Sequence, residues 1–181
     1  MRARKRFDSL ALPHLTAVYR FAQQLAGPQQ ADDLVQETFL RAWAHFDQFD
    51  PGTNCRAWLF RILHNVWVSQ WRKTRLELPV ADVEDLRTEP YYDWEDDLVH
   101  EEISEDLQWA LSQLPDAFRW AVLLADVEEL TYQEIAATMD CPIGTVMSRI
   151  NRGRRMLERL LRARRDGRPL VSNTSAGRQW P

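Results

Sequence analysis

Cysteine is scarce in this chain of 181 residues, which has only Cys55 and Cys141, far apart in the sequence. Neither has the CxxC or Cys/His spacing of a metal site, so both are expected to be reduced, packed thiols rather than ligands or a redox pair. No apolar stretch approaches the roughly 20 residues needed to cross a bilayer. The basic opening MRARKRFDSLALPHL lacks a sustained apolar run and a small-residue cleavage site. A cytoplasmic protein with no membrane insertion is the expectation. The alternating β-branched pattern of strands is missing as well. So are a Gly-rich phosphate loop, a nucleotide-hydrolysis motif and a catalytic triad, and no cofactor, metal or catalytic residue is expected.

What is present is helical periodicity. Candidate helices run over about 9–26, 29–46, 54–76, 101–113, 116–128, 131–139 and 143–163, punctuated by Gly27-Pro28 and by Asp50-Pro51-Gly52-Thr53-Asn54. The formal net charge of −4 is an average over unlike segments. Residues 77–106 carry thirteen acids against one Arg, whereas residues 1–76 hold eleven Lys+Arg against six acids and residues 107–181 eleven against eight. Two basic ends flank an acidic connector, and a nucleic-acid partner remains open because local charge sets the field near a phosphate backbone. The fold expected is all-α: two small helical domains, 1–76 and 101–163, joined by an acidic flexible linker, 77–100, and followed by a disordered tail, 164–181.

TYQEIAATMDCPIGTVMSRINRGRR, residues 131–155, has the grammar of a helix-turn-helix. Thr131 and Glu134 have the spacing of a capping box. Ile135, Ala136 and Met139 give the first helix a buried side, and Asp140-Cys141-Pro142 ends it. In the second helix Val146, Ile150, Gly153, Leu157 and Leu160 form one stripe. Met147, Ser148, Asn151, Arg152, Arg155 and Arg159 lie opposite. On charge alone that face could be solvated surface, but the short helix, the turn and the Gly144-Thr145 start favour duplex DNA. Ser148, Asn151 and Arg152 are candidate base readers, with Arg149, Arg155 and Arg159 as backbone contacts.

In ADDLVQETFLRAWAHF, residues 31–46, Val35, Phe39, Ala42 and Phe46 share a stripe, while Asp33, Gln36, Glu37, Leu40 and Ala44 lie opposite. That face is either a solvated surface with one stray Leu or a docking face for a protein. In CRAWLFRILHNVWVSQWRKTR, residues 55–75, the core stripe is Leu59, Ile62, Leu63 and Val66. Phe60, His64, Trp67 and Trp71 then fall on an outer side with Arg61, Asn65, Arg72 and Lys73. Aromatics among cations suit unpaired bases, although a helical Trp is more often core.

ADDLVQETFLRAW, FDQFDPGTNCRAWLFRILHN and LPDAFRWAVLLADVEELTYQEIAATMDCPIGTVMSRINRGRRML resemble the two domains of the extracytoplasmic-function (ECF) group of the sigma-70 family of bacterial RNA polymerase sigma factors. The resemblance spans about residues 8–76 and 101–162. The opening and linker segments are also similar to a branch that includes redox-responsive stress sigma factors. The resemblance implies a dissociable subunit that binds core polymerase and directs promoter-specific initiation, in a stress or envelope response. It places Asp33, Gln36, Glu37, Leu40 and Arg41 on the β′ clamp helices. The loop DQFDPGTN (47–54) and the outer side of the next helix, with Asp50, Thr53, Asn54, Arg61, Asn65, Trp71, Arg72 and Lys73, are placed on the melted non-template strand of the minus-ten element. Thr145, Met147, Ser148, Arg149, Asn151, Arg152, Arg155 and Arg159 are placed on the minus-thirty-five duplex, in a domain that also docks on the β flap. The linker would run toward the RNA exit path, and an anti-sigma factor is a further implied partner.

Three positions depart from the family's usual pattern: Met147 where Lys or Arg is usual, Asp140 where Gly is usual and Cys55 where Leu is usual. Asp tolerates the left-handed turn, so the motif is expected to survive. Two other readings remain open from the residues. One is a stand-alone helix-turn-helix regulator with an N-terminal sensor or interaction domain. The other is an enzyme with a divalent metal on Asp93, Glu95, Asp96, Asp97 and His100, which lacks a second cluster to complete an oxygen cage.

Overall fold

Pro13 divides what periodicity joins. In a computed structural model, which describes residues 2–77 and 104–166, the stretch expected as one helix over 9–26 is α1 (Arg2–Leu10), a 3₁₀ turn (Leu12–His14) and α2 (Leu15–Ala26). Proline has no amide proton and fixes its own φ, so it sits in the first turn of a new segment and not inside a continuous helix. Phe7 of α1 tucks edge-on against Trp43 and Phe46, with centroids 5.2 and 5.1 Å away, which ties the basic opening segment to the core.

Gly27, at φ 77, ends α2, and Pro28 opens α3 (Pro28–Ala44). The left-handed φ favours glycine there, and the fixed φ of Pro28 suits a first helical turn. A 3₁₀ turn (Phe46–Gln48) and an exposed loop lead to α4 (Cys55–Glu77). α5 (Glu105–Ser112), α6 (Asp116–Asp126), α7 (Tyr132–Thr138) and α8 (Ile143–Arg165) follow. No strand occurs among the described residues, in agreement with the all-α expectation. Residues 78–103 and 167–181, which hold nearly all of the acidic connector, the carboxylate cluster at 93–100 and most of the tail expected over 164–181, lie outside the described residues, and Arg164 and Arg165 of that tail instead close α8.

Most of the core stripes fall as the periodicity predicts. Leu59, Leu63 and Val66 of α4 are buried, with Ile62 packed against them; Val146, Ile150 and Gly153 of α8 are buried, with Leu157 alongside. In α3, Phe39 is only partly buried, while Leu34 and Thr38 are fully so. Thr38 satisfies its buried hydroxyl by donating to the Leu34 carbonyl at 2.6 Å. α6 and α8 approach so closely that a Cβ on Gly153 would lie 2.6 Å from Val122 Cγ2 and 3.3 Å from the Phe118 carbonyl oxygen. Only glycine fits that crossing without displacement.

One apolar cluster runs through both helical groups. Phe21 of α2 meets Phe60 of α4 and Trp120 of α6, each with ring centroids 4.8 Å apart, and His64 of α4 meets Trp120 edge-on at 4.9 Å. α7 packs on α4, and α5 and α6 pack on α2. Phe60, expected on an outer face, is therefore wholly buried. A helix's own periodicity identifies one buried stripe, and α4 has a second, covered from a distant part of the chain.

Candidate nucleic-acid interface

The helix-turn-helix forms as its residues require. Thr131 Oγ1 accepts the Glu134 amide at 3.3 Å, and the Thr131 amide donates to Glu134 Oε2 at 2.8 Å, completing the capping box. Burial pushes the Glu134 carboxyl up, but bonds from the Thr131 amide and hydroxyl and from Asn54 outweigh it, leaving the pKa below the usual value. Asp140 holds the turn at φ 47, a left-handed conformation Asp accepts. Pro142 then caps α8.

From α8, Met147, Ser148, Asn151, Arg152, Arg155 and Arg159 are all exposed, as the periodicity predicts. Thr145 is half-buried at the first turn. Arg149 does not join that face. It is half-buried, and its Nη1 lies 3.4 Å from Cys141 Sγ. Neither cysteine is in a disulfide, and burial raises both thiol pKa values, as befits packed thiols rather than nucleophiles.

The loop before α4 is ordered by its own polar side chains. Asp50 Oδ1 accepts the Gly52 amide at 2.9 Å, and the Asp50 carbonyl accepts both the Thr53 amide at 2.9 Å and its hydroxyl at 2.7 Å. Asn54 Oδ1 caps α4 by accepting the Arg56 amide at 3.0 Å. Asp50, Thr53, Asn54, Arg61 and Asn65 are exposed together along this loop and the first half of α4. Trp71, Arg72 and Lys73 lie farther along the same helix, with side chains outside the described residues.

Contacts that no local pattern signals join this surface to the second helical group. Asn54 Nδ2 donates to Glu134 Oε1 at 2.7 Å, and Arg56 pairs with Glu128. Glu128 is 4% exposed; burial raises its pKa against the opposing pull of the Arg56 and Arg20 charges. Arg119 donates to the Leu25 carbonyl at 3.1 Å, bridging α6 to the end of α2.

His64 lies in the same junction. Its pKa is lowered to about 4, first by burial and then by the Arg149 charge, against a weaker pull from Asp140. Its Nδ1 has no hydrogen-bond partner. The folded chain thus keeps His64 neutral while the unfolded chain protonates it near pH 6.5, so the unfolded state binds the extra proton between these values. Stability should fall by roughly 2 kcal/mol between pH 7 and pH 5 from this group. His14, also lowered by burial and by Arg56, acts in the same direction. Urea denaturation of wild type and His64→Phe at both pH values isolates the effect; equal pH losses in the two would contradict it.

A separate shallow groove lies between α3 and α4. Asp33, Gln36, Glu37, Leu40 and Arg41 line it with Val66, Ser69 and Gln70, so the five residues expected to contact polymerase share one site. Leu40 is 58% exposed, and Arg41 Nε donates to Glu37 Oε1 at 2.6 Å beside it.

The family profile of Sigma-70 region 2 matches residues 10–77, and that of Sigma-70, region 4 matches residues 104–157. The chain is 42% identical over 155 residues to the ECF RNA polymerase sigma factor EcfG of Rhodopseudomonas palustris, covering 83% of this chain and 81% of that one. This chain belongs to the ECF group of sigma factors. The sigma factor RpoE of Bartonella quintana, solved with the anti-sigma factor NepR, matches this sigma factor with a TM-score of 0.75 at 36% identity, covering 87% of this chain and 98% of that one. CnrH, solved with the cytosolic domain of CnrY, matches with a TM-score of 0.63 at 28% identity, over 88% and 90% of the two chains. In this sigma factor the region 2 match takes in α2 to α4 and the region 4 match α5 to most of α8. Among the described residues no helix is long and apolar enough to cross a membrane, and no group of three or more His, Cys, Asp or Glu could hold a metal ion.

Two residues beside the exposed face of α8 have no counterpart in the sequence-based expectations. Tyr132, at the start of α7, and Arg154 line one groove with Met147, Ser148, Ile150 and Asn151. A tyrosine in the first turn of a short helix has no periodicity to mark it. Arg154 is separated from the motif's other arginines by its attachment to Asp126.

Proposed function

We propose that this sigma factor binds core RNA polymerase, places it on promoters through two DNA elements and stabilises strand opening by binding energy, without a covalent step. Its place of action is the cytoplasm. The observation that carries the reading is the pairing, in one chain, of an outward cationic helix-turn-helix face with a separate α3 groove centred on an exposed leucine. Asp33, Gln36, Glu37, Leu40 and Arg41 take the β′ clamp helices. Asp50, Thr53, Asn54, Arg61, Asn65, Trp71, Arg72 and Lys73 take the melted non-template strand of the minus-ten element. Thr145, Met147, Ser148, Asn151, Arg152, Arg155 and Arg159 take the minus-thirty-five duplex, and the same helical group docks on the β flap.

Three refinements come from the geometry. Arg149 reaches minus-thirty-five phosphates only after leaving Cys141. Phe60 and His64 are withdrawn from any stacking role while α7 and Trp120 cover them. Asn54 gives one hydrogen of its amide to Glu134, so a base contact by Asn54 uses the other hydrogen or replaces that bond. An anti-sigma factor is the remaining partner, a reading supported by the NepR and CnrY complexes of the two structural relatives.

Run-off transcription by purified core polymerase on a promoter library, with and without the protein, tests the reading. Added protein should direct new start sites; sequence-specific duplex binding without polymerase, and no start sites with it, would instead support a stand-alone regulator. Within the active holoenzyme, Arg152→Ala should reduce discrimination against mutated minus-thirty-five elements by roughly tenfold, consistent with loss of one base contact. Equal loss on all sequences would make Arg152 a phosphate contact.

A further inference from the structure

Met147 is 53% exposed and Tyr132 39% exposed, two large apolar surfaces among the polar groups of the reading face. They line one groove with Ser148, Asn151 and Arg154. Arg154 is not at liberty to read a base there. Its Nε donates to Asp126 Oδ2 at 3.0 Å and its Nη2 pairs with Asp126 Oδ1. The guanidinium is paired on the protein, and the phenol ring lines the same groove. This part of the groove therefore presents an aromatic ring and a flexible thioether side chain, with the amide of Asn151 one helical turn farther on.

In a DNA major groove the feature such a surface can recognise is the 5-methyl group of thymine; the other unmodified bases present donors, acceptors and ring edges there. Resting on the reading of α8 as the minus-thirty-five helix, we propose that Met147, backed by Tyr132, is a specificity-determining residue that selects thymine at one position of that element. A thioether at residue 147 offers an apolar contact to a methyl group and contributes no charge to the salt-dependent part of binding.

Deoxyuridine differs from thymine only in lacking that methyl group. Holoenzyme binding is measured on a synthetic promoter whose minus-thirty-five thymines, on either strand, are replaced one at a time by deoxyuridine. At one position the exchange should weaken wild-type binding about fourfold, as loss of one buried methyl predicts. Met147→Ala should bind the thymine promoter about as weakly and lose the sensitivity. Met147→Lys should lose it too and steepen the logarithmic salt dependence by about one. Because residue 147 is exposed, these substitutions leave the fold intact. A holoenzyme dependent on the minus-thirty-five element but indifferent to every exchange, or a Met147→Ala variant that keeps the sensitivity, overturns this inference alone. A holoenzyme indifferent to the whole element overturns the reading of α8 on which it rests.

Discussion

Leu40→Asp should lower affinity for core polymerase by at least about thirtyfold, equivalent to about 2 kcal/mol, while leaving the fold unchanged. Leu40 lies opposite the buried residues Leu34, Val35, Thr38 and Ala42 of α3, so its side chain contributes little to the core. An aspartate is equally well solvated there in the free protein. On a docked surface the same carboxylate would lose water without gaining a partner, whereas Leu loses only an unfavourable exposure. The neighbouring Glu37–Arg41 pair is 40–44% exposed, and breaking it alone should matter far less. Competition binding to core polymerase, paired with thermal melting of the free protein, separates docking from folding. Unchanged affinity would move the polymerase contact away from this groove. If melting also falls by several degrees, the loss reports misfolding instead.

The helix-turn-helix was legible because its determinants are local. A capping pair three residues apart, a proline after a turn and an apolar stripe are all carried within twenty-five residues, and the structure reproduces each of them. The α3 face was legible for the same reason, because Asp33, Gln36, Glu37 and Leu40 share one side of one helix; Arg41, which came with the family resemblance, lines the same groove, and Ala44 does not. Pro13 was visible in the sequence, but the flanking apolar residues keep helical spacing through the 3₁₀ turn, so periodicity merged two helices into one. What could not be read is whatever depends on residues far apart. Phe60 resembles a surface aromatic until α7 and α6 arrive, and Arg56 and Asn54 meet acids 72 and 80 residues away. Arg149, expected as a backbone contact beside the basic face of α8, is half-buried with its guanidinium against Cys141.

The largest effect on stability should come from Trp120→Ala. Trp120 is 1% exposed and contacts Phe21 of α2 and His64 of α4 from its position on α6, so one side chain fills the space between the two helical groups. Truncation should cost about 3–5 kcal/mol, because the lost apolar burial is compounded by a cavity walled by three helices. For a chain of this length that corresponds to a fall in melting temperature of roughly 10 °C. Trp120→Phe provides the control. The indole Nε1 has no hydrogen-bond partner, so replacing the indole with a phenyl ring gives up volume but no polar contact, and should cost well under half as much. The shape of the transition matters as much as its midpoint. With one apolar cluster shared by both groups, wild type should unfold in a single calorimetric step. Trp120→Ala weakens the shared part and leaves the Thr131–Glu134 cap and the α3–α4 packing in place, so it should broaden that step or split it in two. A sharp single transition at the wild-type temperature would mean that the aromatic junction contributes nothing and that the two groups are held by their other contacts, among them Arg56–Glu128, Asn54–Glu134 and Arg119 to the Leu25 carbonyl.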